Sequence, residues 1–126
     1  MGLGLHGGAL GTIQWLHEQG AKLLVTDLKT EKELAVTLEK LKDYKDIQFV
    51  LGQHREHDFT DTDLVIQNPA VPRTSKYIRL ARDAGVPIEM DSSLFWQNCS
   101  SKDIIGITGS KGKTTTATAI TTILKL

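Results

Sequence analysis

Short apolar runs alternating with helix-like stretches constrain this chain more than any other feature. "KLLVTD" (22–27), "IQFVLG" (47–52), "DLVIQ" (63–67), "PIEM" (87–90) and "DIIGIT" (103–108) each read as a buried strand. Between them the apolar spacing turns helical. Ala9, Leu10, Ile13 and Leu16 form one stripe, closed by Gly20. "TEKE" (30–33) is a capping box, with Thr30 capping the helix start and Glu33 reaching back, and Leu34, Leu38 and Leu41 follow as a stripe. Thr74 or Ser75 is placed to cap a helix through Tyr77, Ile78, Leu80 and Ala81 to Gly85. "SSLFWQNC" reads as a short helix capped by Asp91, with Ser92 and Ser93 as capping residues, and a last helix starts at Lys113. "QHREHDFTDT" is a polar loop with room for a short helical turn, and Pro69 and Pro72 stop the third strand. Strand-helix alternation with continuous apolar strands means a parallel sheet covered by helices, an α/β fold.

The 126 residues suffice for a domain with a real core. Lys+Arg and Asp+Glu are 15 each, so no charge excess points to nucleic acid or to a membrane surface. Cys99 is alone, which excludes a disulfide framework and a four-cysteine metal site and fits a reducing cytoplasm. No apolar run has membrane-spanning length, and no charged leader precedes an apolar stretch at the N-terminus.

Two glycine-rich loops carry the chemistry. The first is Gly2-x-Gly4-x-x-Gly7, followed by a helix and a strand ending in Asp27. Glycines there permit a tight turn and close approach of backbone to phosphate, and an acid about twenty residues on is placed for a ribose hydroxyl. The plain alternative is a turn that only packs a helix on a sheet. Such a turn normally follows a strand that is central and buried on both faces, yet only Met1 precedes Gly2. The expectation is a chain that begins inside a longer reading frame, with marginal stability and exposed apolar surface.

The second loop is "GSKGKTT" (109–115), between the apolar run at 103–108 and the last helix. Backbone N–H groups of Gly109, Ser110, Lys111, Gly112 and Thr115 are placed to cradle phosphates. Lys113 reaches the outer phosphates and the Thr114 hydroxyl sits on Mg²⁺. Ile107 stands where the generic phosphate loop has its first glycine, so the spacing here is a shorter variant. "CSSKD" (99–103) is the nearest thing to a boundary. It divides a Rossmann-like unit (1–100, first strand missing) from the P-loop strand and first helix of a truncated central ATPase domain (101–126).

The pair of loops resembles the Mur ligase family, with the closest likeness to its D-glutamate-adding members. "GLGLHGG" (2–8), "VTDLK" (25–29), "DLVIQNPAVP" (63–72), "AGVPIEMDSSLF" (84–95) and "IIGITGSKGKTTT" (104–116) carry it in collinear order. The loop at 109–114 is common to the wider family, which includes folylpolyglutamate synthetases. The resemblance implies a cytoplasmic, monomeric full-length enzyme of peptidoglycan synthesis. ATP, with Mg²⁺, phosphorylates the carboxylate of UDP-MurNAc-L-alanine, and the amine of D-glutamate attacks the acyl phosphate. It further implies that Gly4, Leu5, His6 and Gly7 meet the uridine nucleotide. Asp27, Leu28 and Lys29 lie near uracil and diphosphate, and Asn68, Pro69 and Ala70 lie along the uridine. Lys113 acts on the transferred phosphoryl group and Thr114 on Mg²⁺. Family residues beyond Leu126 are required for catalysis, so the 126-residue chain alone is expected to be inactive.

Other features read more simply. His54 and His57 belong to a polar surface loop rather than a metal site. Trp15 and Trp96 are packing residues, and Cys99 has no neighbouring base in sequence to make it a nucleophile. The charges from 29 to 46 form a solvated helix face. Two other function classes stand beside the ligase: an NAD-dependent oxidoreductase or NAD-binding module on Gly2 to Asp27, and a non-catalytic P-loop nucleotide-binding protein.

Overall fold

The computed structural model describes residues 1–4 and 9–125. The elements alternate as expected: α1 (Leu10–Glu18), β1 (Leu23–Asp27), α2 (Glu31–Glu39), β2 (Ile47–Leu51), α3 (His57–Thr60), β3 (Val65–Ile66), α4 (Lys76–Asp83), β4 (Ile88–Glu89), α5 (Asp91–Asn98) and α6 (Lys113–Leu124). Among the described residues all strand pairing is parallel. β1 pairs β2 with Leu23 opposite Ile47 and Asp27 opposite Leu51, and β3 pairs β4 with Val65 opposite Ile88.

The single expected sheet is divided into two two-stranded sheets. Each has its own apolar cluster, one of Leu3, Ile13, Val25, Leu34, Leu41 and Ile47, the other of Phe59, Val65, Ile78 and Ala81. Residues 1–2 join the sheets. The Met1 amine donates to Ile66 O (2.9 Å), Asn68 N–H donates to Met1 O (3.1 Å), and Gly2 N–H donates to Thr26 O (2.8 Å). The first residues therefore stand between β1 and β3.

The expected strand at 103–108 does not form. A strand is defined by a neighbour that takes its backbone hydrogen bonds, and among the described residues none lies beside this segment. From residue 100 to 125 no residue is buried, and Ile105, Ile123 and Leu124 are 65–73% exposed. Trp96, expected to pack, is 66% exposed, whereas Trp15 is half-buried.

Local chemistry explains several element starts. The Thr30–Glu33 capping box is complete: Thr30 Oγ1 accepts from Glu33 N–H and Glu33 Oε2 accepts from Thr30 N–H at 2.8 Å. These bonds hold the Glu33 carboxyl below its ordinary range. At α5 the helix begins at Asp91, and Ser93 Oγ accepts from Met90 N–H (2.9 Å), so Ser93 supplies the cap expected of Asp91. Ser75 occupies the cap position of α4 without a side-chain bond.

Candidate functional site

The carboxyl ends of parallel strands are where α/β folds gather ligand contacts. Here the turn at Gly2–Gly4, the end of β1 and the segment after β3 meet at such an end. Gly2 and Gly4 have φ of +81° and +78°, a region that L side chains rarely adopt. Gly2 also packs hard on the 68–71 segment, since a Cβ there would lie 2.9 Å from Asn68 Cβ and 3.0 Å from Val71 Cγ2.

Asp27 organises this corner. It is 6% exposed. Its Oδ2 accepts from Gly4 N–H (3.1 Å) and its Oδ1 from Lys29 N–H (2.9 Å). Gly4 O accepts from Thr37 Oγ1 (3.3 Å), and Lys29 O accepts from Gly52 N–H (2.8 Å). One buried carboxylate thus fixes both the glycine turn and the β1–α2 bend. Leu28 is 64% exposed beside it, and Lys29 is half-buried.

The 67–71 segment is held just as firmly. Asn68 Oδ1 accepts from Ala70 N–H (2.9 Å), Val71 N–H donates to Asn68 O (2.9 Å), and Gln67 Nε2 donates to Val71 O (2.8 Å). Pro69 and Ala70 face solvent. So Gly4, Asp27, Leu28, Lys29, Asn68, Pro69 and Ala70 come to one end of the strands. Leu5, His6 and Gly7 lie outside the described residues.

Behind this corner is a cluster that the sequence reading assigned to a surface loop. His54 Nδ1 lies 2.6 Å from Thr26 Oγ1, and its ring packs edge-on against Phe59 and Tyr77. Burial lowers the His54 pKa below its ordinary value, and the charge of the Met1 amine adds to that against Asp27 and Asp58. A histidine contacting three separate elements leaves no local sequence signal. His57 by contrast is exposed beside Asp58 (3.2 Å), and among the described residues no His, Cys, Asp and Glu cluster could hold a metal ion.

The second loop is solvent-exposed from Gly109 to Thr115. Gly109 and Gly112 have φ of +152° and +79°, and Gly112 caps α6 without a side-chain bond. The first N–H groups of this 12-residue helix are therefore open to an anion. Lys113 Nζ donates to Gly109 O, which folds the ammonium back over the loop. Thr114 and Thr115 lie on the first helical turn. Among the described residues no hydrogen bond or ion pair links this loop to the Asp27 corner.

Residues 1–89 match the family model described as "Mur ligase MurD-like, N-terminal domain". The chain belongs to the Mur ligase family. Relatives named UDP-N-acetylmuramoylalanine–D-glutamate ligase extend the likeness through the second loop. The one from Roseiflexus sp. (strain RS-1) is 45% identical over 125 residues, covering 99% of this chain and 26% of the relative. That of Borreliella burgdorferi (strain ZS7) is 42% identical over 126 residues, 99% of this chain and 27% of the relative. That of Treponema pallidum (strain Nichols) is 42% identical over 121 residues, 95% of this chain and 23% of the relative. The chain spans about a quarter of the length of these Mur ligases. No helix among the described residues is long and apolar enough to cross a membrane.

Proposed function

We propose that this chain carries the UDP-binding corner and the ATP-phosphate loop of a ligase that joins D-glutamate to UDP-MurNAc-L-alanine in peptidoglycan synthesis. The observation that carries the reading is the convergence of Gly4, Asp27, Lys29 and Asn68 at one strand end, in a chain of the Mur ligase family. In this reading the turn N–H groups and Lys29 meet the diphosphate, while Leu28 and the Asn68–Ala70 segment flank the uridine. Leu5, His6 and Gly7 belong to the same contact.

Gly109 to Thr115 fit the phosphates of ATP. Two glycines at positive φ leave their own positions in the loop without Cβ atoms, α6 offers uncapped N–H groups, and Lys113 is already folded over the loop. Mg²⁺ fits beside the Thr114 hydroxyl and supplies charge neutralisation there when bound. The substrate carboxylate takes the γ-phosphoryl group and ADP departs. The D-glutamate amine then attacks the acyl carbon, an amide forms, and phosphate and a proton are released. Lys113 balances charge on the moving phosphoryl group. The complete reaction is assigned to the full length typical of the relatives, with residues 1–100 and 101–126 serving different substrates.

Titrating UDP, NADH and ATP separately into the protein tests this, with amide shifts read by NMR. Saturable UDP binding that moves Gly4, Lys29 and Asn68, with no response to NADH, is the expected result. NADH binding in place of UDP establishes the dinucleotide reading instead. ATP binding without UDP binding leaves a P-loop module.

A further inference from the structure

Thr26 and Asp27 are neighbours on β1, so their side chains leave the sheet on opposite faces. Asp27 serves the glycine turn and the β1–α2 bend. Thr26, only 3% exposed, serves a different element: Gly52, Gln53 and His54, the residues that follow β2. Gly52, at φ of +77°, turns the chain there, and its N–H donates to Lys29 O (2.8 Å). Gln53 O accepts from Thr26 Oγ1 (3.3 Å), and His54 Nδ1 stands 2.6 Å from the same hydroxyl. These consecutive residues thus fasten to the end of β1 at Thr26 and at Lys29.

The other end of this strap belongs to the second apolar cluster. The His54 ring meets Phe59 edge-on at 5.6 Å and Tyr77 at 4.9 Å between centroids, and Tyr77 Oη donates to His54 O (3.4 Å). Phe59 is a buried member of that cluster, and Tyr77 and Val71 pack against it. Tyr77 lies in α4, the helix that follows the Asn68–Ala70 segment, with Ser75 N–H donating to Pro72 O between them (3.0 Å). Edge-on ring pairs prescribe direction as well as distance, which an aliphatic contact does not.

We propose that His54 is a positioning residue: it ties the Asp27–Lys29 bend to α4 and so sets the spacing between that bend and the Asn68–Ala70 segment. The bend and the segment are two walls of one corner, and they belong to different sheets and different apolar clusters. A ligand that touches both walls binds well only at the right spacing. Its apparent affinity falls with the fraction of molecules that hold that spacing. The ligand is the uridine nucleotide of the function proposed above, and the inference rests on that reading for the ligand's identity. The strap itself stands on the contacts of Thr26, Lys29, Phe59 and Tyr77.

Three variants test this. Thr26→Val removes the hydroxyl that Gln53 and His54 share and keeps a shape suited to a strand, and Thr26→Ser keeps the hydroxyl. His54→Phe keeps a ring beside Phe59 and Tyr77 without the bond to Thr26. Spin labels at Val36→Cys and Arg82→Cys, exposed sites on α2 and α4, read the distance between the two halves by electron spin resonance. Cys99→Ser removes the natural thiol from the labelled forms. UDP affinity is titrated at a temperature where every variant is fully folded, so a loss of stability alone moves neither readout. Thr26→Val and His54→Phe are each expected to widen the distance distribution and to weaken UDP binding about 10-fold, with the double variant no worse than either. Thr26→Ser is expected to match the unaltered protein. Unchanged distances in Thr26→Val and His54→Phe overturn the proposal even where UDP binds. Widened distances with full UDP affinity overturn it as well. Widened distances in a protein that does not bind UDP uphold the strap and sink the UDP reading instead.

Discussion

Asp27 shows how much one side chain can fix. Its two oxygens hold the glycine turn and the β1–α2 bend, and almost none of it reaches water. Asp27→Ala leaves two N–H groups without acceptors and is expected to destabilise the fold by about 2–3 kcal/mol, read from urea denaturation. Asp27→Asn is expected to rescue only part of this, since its NH₂ cannot accept from the second N–H. The Met1 amine offers a different residue-scale test. Burial lowers its pKa from 8.0 to about 6, against the opposing charge of Asp27. Between those values the unfolded chain holds a proton that the folded chain has released, so stability rises with pH. The contribution is absent below the folded value and full above the unfolded one, on the order of 2–3 kcal/mol. Denaturation midpoints measured from pH 5.5 to 8.5 should therefore climb. Acetylating the Met1 amine should flatten most of that climb, leaving the smaller part due to His54, whose pKa is also lowered.

At the scale of elements, α2 is the most self-contained piece. Its capping box closes locally, so Thr30→Ala is expected to lose about 1 kcal/mol by thermal melting, while Leu34→Ala, at a side chain with no exposure, should lose about 2–5 kcal/mol. The difference in locality also explains what could be read from the chain. "TEKE" gives the α2 start because every partner lies within four residues. The Gly4–Asp27 bond joins residues 23 apart and is not legible in the sequence, which marks Asp27 only as an acid placed for a ribose hydroxyl. The segment at 103–108 has the same apolar look as β1, yet no strand forms, because pairing depends on a neighbour that sequence pattern does not reveal. β3 and β4 are two residues each and pair with one another, Val65 opposite Ile88 and Ile66 opposite Glu89. Nor does periodicity show that His54 turns inward to Thr26 or that Trp96 turns outward, since both follow from long-range packing.

The whole molecule divides by burial at about residue 100. The two apolar clusters draw on residues 1 to 88, and nothing from 100 to 125 is buried. Three large aliphatic side chains in that last stretch stay 65–73% exposed, and α6 buries none of its residues. Apolar surface of this kind stabilises a fold only when something covers it, at about 25 cal/mol per Å² of area removed from water. On that ground we predict that residues 101–126 add little to the stability of residues 1–100 and that the two stretches behave as separate units. Deleting 101–126 is expected to shift unfolding stability by no more than about 0.5 kcal/mol, as for changes at exposed surface. The deletion should leave UDP-induced shifts at Gly4, Lys29 and Asn68 intact and remove any response to ATP. Lys113→Ala should match the deletion on ATP and leave the denaturation curve unchanged, because among the described residues Lys113 bonds within its own exposed loop. A marked loss of stability on deletion would show that 101–126 is packed into the first unit, and the division at residue 100 would then fail.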